Sequence, residues 1–348
     1  MGMSVNFRSD NETLVAPEIM AALAESNVGT AHAYGDDVIT ERLARRIREV
    51  FETKVMVFPL VSGSAANALA VAQTTPSFGA VICHEDSHLH TDECGAPEFY
   101  SGGAKLLTLG GAGAKMAAKD VARKLADSGH TGDHASKPTL LSITQATEFG
   151  TVYQLDEIRE LAQVAHDAGL RVHMDGARFA NALATLGCTP AEMTWRAGVD
   201  MVSFGATKNG AMMAEALLVF DKNDAVELGR RRKQAGHLIS KMRYISAQLD
   251  AYLTDDLWLL LAGKANCQAA RLSKGLGDIP GVEVIYPVES NEVFVRMDAG
   301  FAAGLREQGC EFHAWPGRPD VYRLVTAHCT AASDVEEFLQ AAHQVSRH

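Results

Sequence analysis

Between residues 38 and 220 the chain switches repeatedly between apolar runs of strand length and stretches with helical periodicity. The runs at 55–61, 80–84, 105–109, 139–144, 171–175, 200–204 and 215–220 read as buried strands. Helical segments lie between them, clearest at 155–170, where Leu155, Ile158, Leu161, Ala165 and Ala168 share one face and Gly169 suits the helix end. Ile39, Leu43, Ile47 and Val50 form a similar stripe, with Arg42, Arg45, Arg46 and Arg48 on the opposite face. Strands alternating with helices imply an α/β fold with a mostly parallel sheet covered on both faces. Such sheets place ligands at the carboxyl ends of their strands.

The pattern changes after residue 220. Residues 221–253 are polar, basic and helical in pattern, and read as a connection leaving the sheet. Strand-like segments at 282–286, 292–297 and 322–326, with helices near 301–308 and 333–345, suggest a smaller α+β domain. The expected division is a large domain over residues 1–250 and a small C-terminal domain over 251–348.

A net charge of −11 opposes nucleic acid or an anionic membrane surface as the main partner. No window approaches the ~18 consecutive apolar residues of a membrane span, and the first residues carry no secretory pattern. Six cysteines without a CxxC pair fit reduced thiols better than a disulfide framework. The expectation is a soluble, cytoplasmic protein acting on a small molecule.

The residues that could carry chemistry stand at expected strand ends. Lys208 follows the run 200–204 among small residues, where partial desolvation would suit it to forming an imine, although a surface turn would look similar. Asp175 ends the run 171–175. It could pair with the pyridine nitrogen of pyridoxal 5′-phosphate (PLP), or simply cap the next helix. Arg178, close by, could reach the phenolic oxygen or a substrate carboxylate. Ser62, Gly63 and Ser64 precede a helix and could form a phosphate cup, as could any capped helix start. His88 lies in a dense polar run with His90, Glu93 and Cys94. No second compact pair of ligands stands nearby, so a metal is not expected, and a histidine stacked on a flat cofactor or acting as a base fits better. Phosphate cup, histidine, aspartate and lysine occur in that order along one expected sheet, which points to PLP.

With these residues in place, the sequence resembles the L-threonine aldolases of the fold-type I PLP enzymes (aspartate aminotransferase type), within the β-eliminating lyase group. The resemblance rests on Phe7-Arg8-Ser9-Asp10-Asn11, Ala33-Tyr34-Gly35-Asp36-Asp37, the cup at 62–67, His88, Asp175-Gly176-Ala177-Arg178, Thr207-Lys208-Asn209-Gly210 and Tyr322-Arg323-Leu324-Val325-Thr326. Low-specificity bacterial members are similar also at 91–98 and 144–148. The resemblance implies that Lys208 holds PLP, that Gly63 and Ser64 bind its phosphate, that His88 stacks on the ring and that Asp175 pairs with its nitrogen. It further implies that Ser9, Arg178 and Arg323 hold an amino-acid carboxylate. Tyr34 and a basic residue of 230–243, Arg243 first and Arg232 or Lys241 otherwise, would reach in from a neighbouring subunit of a homodimer or homotetramer. The implied reaction is cleavage of a β-hydroxy-α-amino acid to glycine and an aldehyde. His88 is the first candidate for the base, with His90, Glu93 or a water as alternatives. Glu148 departs from the family pattern, in which a histidine is common near this position.

Overall fold

The computed structural model describes residues 5–129 and 132–347. Among them, strands β1 (Met56–Leu60), β2 (Gly79–His84), β3 (Lys105–Leu109), β4 (Lys137–Thr144), β5 (Arg171–Gly176), β6 (Met201–Gly205) and β7 (Glu215–Val219) form one sheet. Their spatial order is β1-β7-β6-β5-β4-β2-β3, and β7 alone runs against its neighbours. Every residue of β2, β6 and β7 is buried, which is why these strands read as unbroken apolar runs rather than alternating ones.

Helices cover both faces. The main ones are α1 (Pro17–Ser26), α2 (Val38–Val50), α3 (Gly63–Thr74), α4 (Leu155–Asp167), α5 (Arg243–Leu253), α6 (Leu257–Gly277) and α7 (Ala332–Val345). The stripe expected on α2 buries Leu43 and Ile47. Its basic face is partly committed, because Arg42 and Arg46 each donate from Nε to Asp250 on α5 at 2.7 Å. Helix α4 stops at Asp167, short of the expected 170. Gly169 turns to φ 76° and the Leu170 amide closes back onto the Ala165 carbonyl.

The segment 221–253 is not simply a connection out of the sheet. After a short helix at Leu228–Gln234, α5 returns, and Ile245, Leu249, Tyr252 and Leu253 pack into the large core. Beyond it, β8 (Glu283–Val284), β9 (Glu292–Arg296), β10 (His313–Ala314) and β11 (Val321–Val325) form an antiparallel sheet in the order β10-β11-β9-β8. The strand expected over 282–286 pairs only at Glu283–Val284.

Two ties join the sheets. Helix α6 gives Trp258, Leu261 and Ala262 to the first core and Ala269, Leu272 and Leu276 to the second. The N-terminal segment crosses over as well. Val5–Asn6 pairs with Cys310–Glu311, and buried Phe7 packs edge-on against Phe338 at 5.4 Å. The residues after Phe7 are thereby led into the space between the two sheets. No described helix is long and apolar enough to cross a membrane.

Candidate active site

The carboxyl ends of the large sheet open on a cavity of about 720 Å³, whose opposite wall includes Arg323 of β11 and Trp315, just after β10. Ser62, Gly63, Ser64, His88, Asp175, Arg178, Lys208 and Arg323 all line it, so the structure gathers eight of the residues singled out from the sequence. The backbone makes this possible. Asp175 stands in register with Thr144 and Ser203 on its neighbours, and a Cβ at Gly205 would come within 2.8 Å of Ala177 Cα, so a glycine is needed there.

On the floor, Asp175 does not cap a helix. Its Oδ1 accepts from the Ala177 amide at 2.9 Å and its Oδ2 from Asn67 Nδ2 at 2.8 Å. The same Asn67 nitrogen donates to Glu93 Oε1 at 2.7 Å, and Glu93 Oε1 lies 3.0 Å from His88 Nδ1. The hydrogen bond to Glu93 raises the His88 imidazole above its ordinary value, against the opposing effect of burial. Beneath Asp175, buried His173 contacts Ser142 and Ser203 through its two ring nitrogens at 2.9 and 2.8 Å, and burial pushes it down to about 4. At the start of α3, Ser62 Oγ accepts from the Ala65 amide, and a Cβ at Gly63 would meet nothing within 4 Å. An ordinary cap therefore coexists with open space beside Gly63. Half-buried Lys208 lines the same cavity as this cup, and its charge helps to lower the Asp10 carboxyl.

The facing wall is a run of alternating charges. Arg178 donates to Asp10 from Nε at 2.8 Å and from Nη2 at 3.1 Å, while its Nη1 lies 3.1 Å from Glu292 Oε2. Glu292 Oε1 lies 3.5 Å from Arg323 Nη1. Burial alone would raise Asp10, but Arg178, Lys208 and the hydrogen bonds from Arg178 and Asn291 hold it below its ordinary range. Two further cavity carboxyls, Glu148 and Glu215, are each pushed up to about 7 by burial.

Three expected residues lie elsewhere in this chain. Ser9 caps its own turn by accepting from the Asn11 amide. Tyr34 is exposed, with Lys233 over its ring, and Arg243 reaches the carbonyls of Val28 and Gly29. Tyr34 also bonds through its amide to the Ser240 carbonyl, so it shares one surface with the segment that leads to Arg243. Of the candidate bases, His90 is exposed and Glu93 is buried against His88 and Asn67. Asp10 and Asn67 stood only inside longer motifs and nothing pointed to Glu215 or Glu292; the partners that fix Asp10, Asn67 and Glu292 lie far along the chain. The described residues contain no cluster of three or more His, Cys, Asp or Glu placed to hold a metal ion. The cup, the lysine and the aspartate line one cavity and offer the donor types that a flat phosphorylated ring would need.

The fold and this arrangement define a class, and the family comparison agrees: the beta-eliminating lyase model matches residues 6–300, so the chain belongs to that family. Within it, the chain is 46% identical to the low specificity L-threonine aldolase of Pseudomonas sp. (strain NCIMB 10558) over 90% of each protein. It is 43% identical to that of Pseudomonas aeruginosa, covering 97% of this chain and 96% of the relative. The threonine aldolase of Leishmania major has a similar structure, with a TM-score of 0.91 at 26% identity over 98% of this chain and 99% of that one. The architecture is that of the fold-type I PLP enzymes, and the chain is a lyase. The resemblance read from the sequence agrees on both points.

Proposed function

We propose that this chain is an L-threonine aldolase that uses PLP held by Lys208 to cleave L-threonine, L-allo-threonine and related β-hydroxy-α-amino acids to glycine and an aldehyde. The observation that carries the reading is the meeting of Lys208, Asp175, His88, the Ser62–Ser64 cup and Arg323 on one cavity, in a chain 43–46% identical to L-threonine aldolases. When bound, PLP supplies an electron sink for the pair released at the α-carbon.

The protein's own residues do the rest. The amides and hydroxyls at the start of α3 would hold the phosphate, helped by the helix dipole. Asp175, fixed on both oxygens by Ala177 and Asn67, would pair with the ring nitrogen. His88, held by Glu93, would stack on the ring. Arg323 takes the substrate carboxylate through charge-assisted bonds. Arg178, whose three side-chain nitrogens already face carboxylates, braces that wall, and Ser9 would add a hydroxyl to the binding of the substrate carboxylate. Tyr34 and Arg243 serve the cavity of a neighbouring subunit, in a homodimer or homotetramer.

Purified protein incubated with PLP and L-threonine, L-allo-threonine or L-phenylserine should release glycine. Lys208→Ala should lose both that activity and the visible absorbance of bound PLP. Release of pyruvate and ammonia instead would mark an eliminating lyase and overturn the aldolase reading.

A further inference from the structure

We propose that Trp315 is a positioning residue for Arg323, its indole face holding in place the guanidinium that receives the substrate carboxylate; the proposal rests on the amino-acid substrate of the function above. The two arginines of the facing wall are held in different ways. Arg178 meets carboxylates with three nitrogens at distances between 2.8 and 3.1 Å. Arg323 has one long contact, Nη1 lying 3.5 Å from Glu292 Oε1, beyond the ~2.7–2.9 Å of a charge-assisted hydrogen bond. Its Nε is buried and has no hydrogen-bond partner among the described residues. Hydrogen bonding alone therefore does not set the plane of this guanidinium. The plane matters, because arginine grips a carboxylate as a flat fork.

An aromatic face supplies what the hydrogen bonds do not. Arg323 Cζ lies 5.6 Å from the centroid of the Trp315 ring. That is inside the ~6 Å over which a ring face attracts a cation, and indole attracts most strongly of the aromatic side chains. Both residues line the cavity. Register brings them together: Arg323 stands opposite His313 on β10 and Phe294 on β9, and Trp315 follows β10 directly. The Trp315 amide donates to the Val321 carbonyl at 2.8 Å, which ties the residue to the start of β11.

The indole is itself held. It meets Phe294 at 5.0 Å with the ring planes at 78°, and Phe149 at 5.8 Å and 71°. Both phenylalanines are buried, whereas Trp315 is only half-buried. The ring is thus anchored in an apolar cluster while it lies against the arginine at the cavity. Packing alone would ask for any large apolar side chain here, and leucine would serve. A cation to be held asks for a π face.

A carboxylate is gripped equally before and during bond cleavage, so loosening Arg323 weakens binding without slowing chemistry. In the PLP-loaded enzyme, Trp315→Leu should raise KM for L-threonine about 10-fold and leave kcat within about twofold. The Kd of glycine, read from the visible absorbance of the cofactor during titration, should rise by the same factor. Glycine has no side chain, so a tryptophan that touched only the substrate side chain would leave this Kd unchanged. Trp315→Phe keeps a weaker π face and should raise the glycine Kd only about threefold. In an Arg323→Ala background, either Trp315 substitution should change the glycine Kd by less than about twofold, since the residue acts through that guanidinium. An unchanged glycine Kd in Trp315→Leu, an effect of equal size with and without Arg323, or a phenylalanine as damaging as leucine overturns the proposal. If Trp315→Leu does not fold, Trp315→Phe decides alone: no rise in glycine Kd, or a rise that persists without Arg323, overturns it. A wild-type enzyme that binds glycine but releases none from threonine sinks the aldolase reading and leaves the glycine titrations standing.

Discussion

On the floor of the cavity, Asp175, Lys208 and the Ser62–Ser64 cup all stand at the ends of strands of one sheet, whereas the facing wall is assembled from Asp10, Arg178, Glu292 and Arg323, drawn from distant parts of the chain. The floor inherits its geometry from backbone pairing. Asp175 would stay opposite Ser203 and Thr144 whatever its side chain became. The wall has no such scaffold, and its side chains hold one another. Asp10 and Glu292 are almost wholly buried, and each depends on Arg178 to offset the cost of removing a carboxylate from water. A site can thus be rigid for two different reasons, and the two should fail differently.

The largest expected effect tests the wall. Arg178→Ala leaves two buried carboxylates facing each other, and urea titration should show a loss of about 3–5 kcal/mol. Arg323→Ala removes a more exposed guanidinium whose contact with Glu292 is long, at 3.5 Å. It should leave most of the stability intact and act chiefly by raising KM for threonine. Equal stability losses in the two variants would mean that Arg178 is not the brace of this wall.

The floor should behave in the opposite way. Asp175→Asn preserves size and removes a charge, and kcat/KM for threonine cleavage should fall by roughly 10²–10³-fold, as when other preorganised electrostatic groups are removed. The urea midpoint should move little. If it fell as far as in Arg178→Ala, backbone register would not be what holds the floor.

The same contrast explains what could be read from the sequence. Strands of a sheet covered on both faces are continuous apolar runs, and each ends where polar residues begin, so β2 to β7 came within two residues of their expected bounds. Site residues at those breaks, such as Asp175 and Lys208, stood out for the same reason. Of the wall, Arg178 and Arg323 were singled out, but its pairings carried no local sign. Asp10 and Arg178 are 168 residues apart, and Asp10 and Asn291 are 281 apart, so neither pairing leaves a periodic trace. Asn67 was noticed only as part of the cup, because its link to Asp175 depends on how α3 lies across the sheet. Residues 221–253 were misread in part because the basic face masks the stripe by which α5 enters the core.

The smallest effect separates floor from wall by pH. His173 lies under Asp175 and is bound on both nitrogens by Ser142 and Ser203. Burial, against the pull of Asp175, depresses it to about 4 from an ordinary 6.5. Between those two values the unfolded chain takes up a proton that the folded chain refuses, so stability should fall as pH drops through that window and be complete above it. Asp10 works in the other sense. Its carboxyl is lowered, so its contribution is complete above the ordinary carboxylate value of 3.8 and is lost as pH falls from there through the depressed value. At pH 5, therefore, the floor should already be loosening while the wall still holds. Urea midpoints at pH 7 and pH 5 should differ in the wild type, and the difference should shrink in His173→Asn, which keeps a polar side chain that cannot charge. An undiminished difference in that variant would move the pH sensitivity away from the floor and leave the two regions alike in this respect.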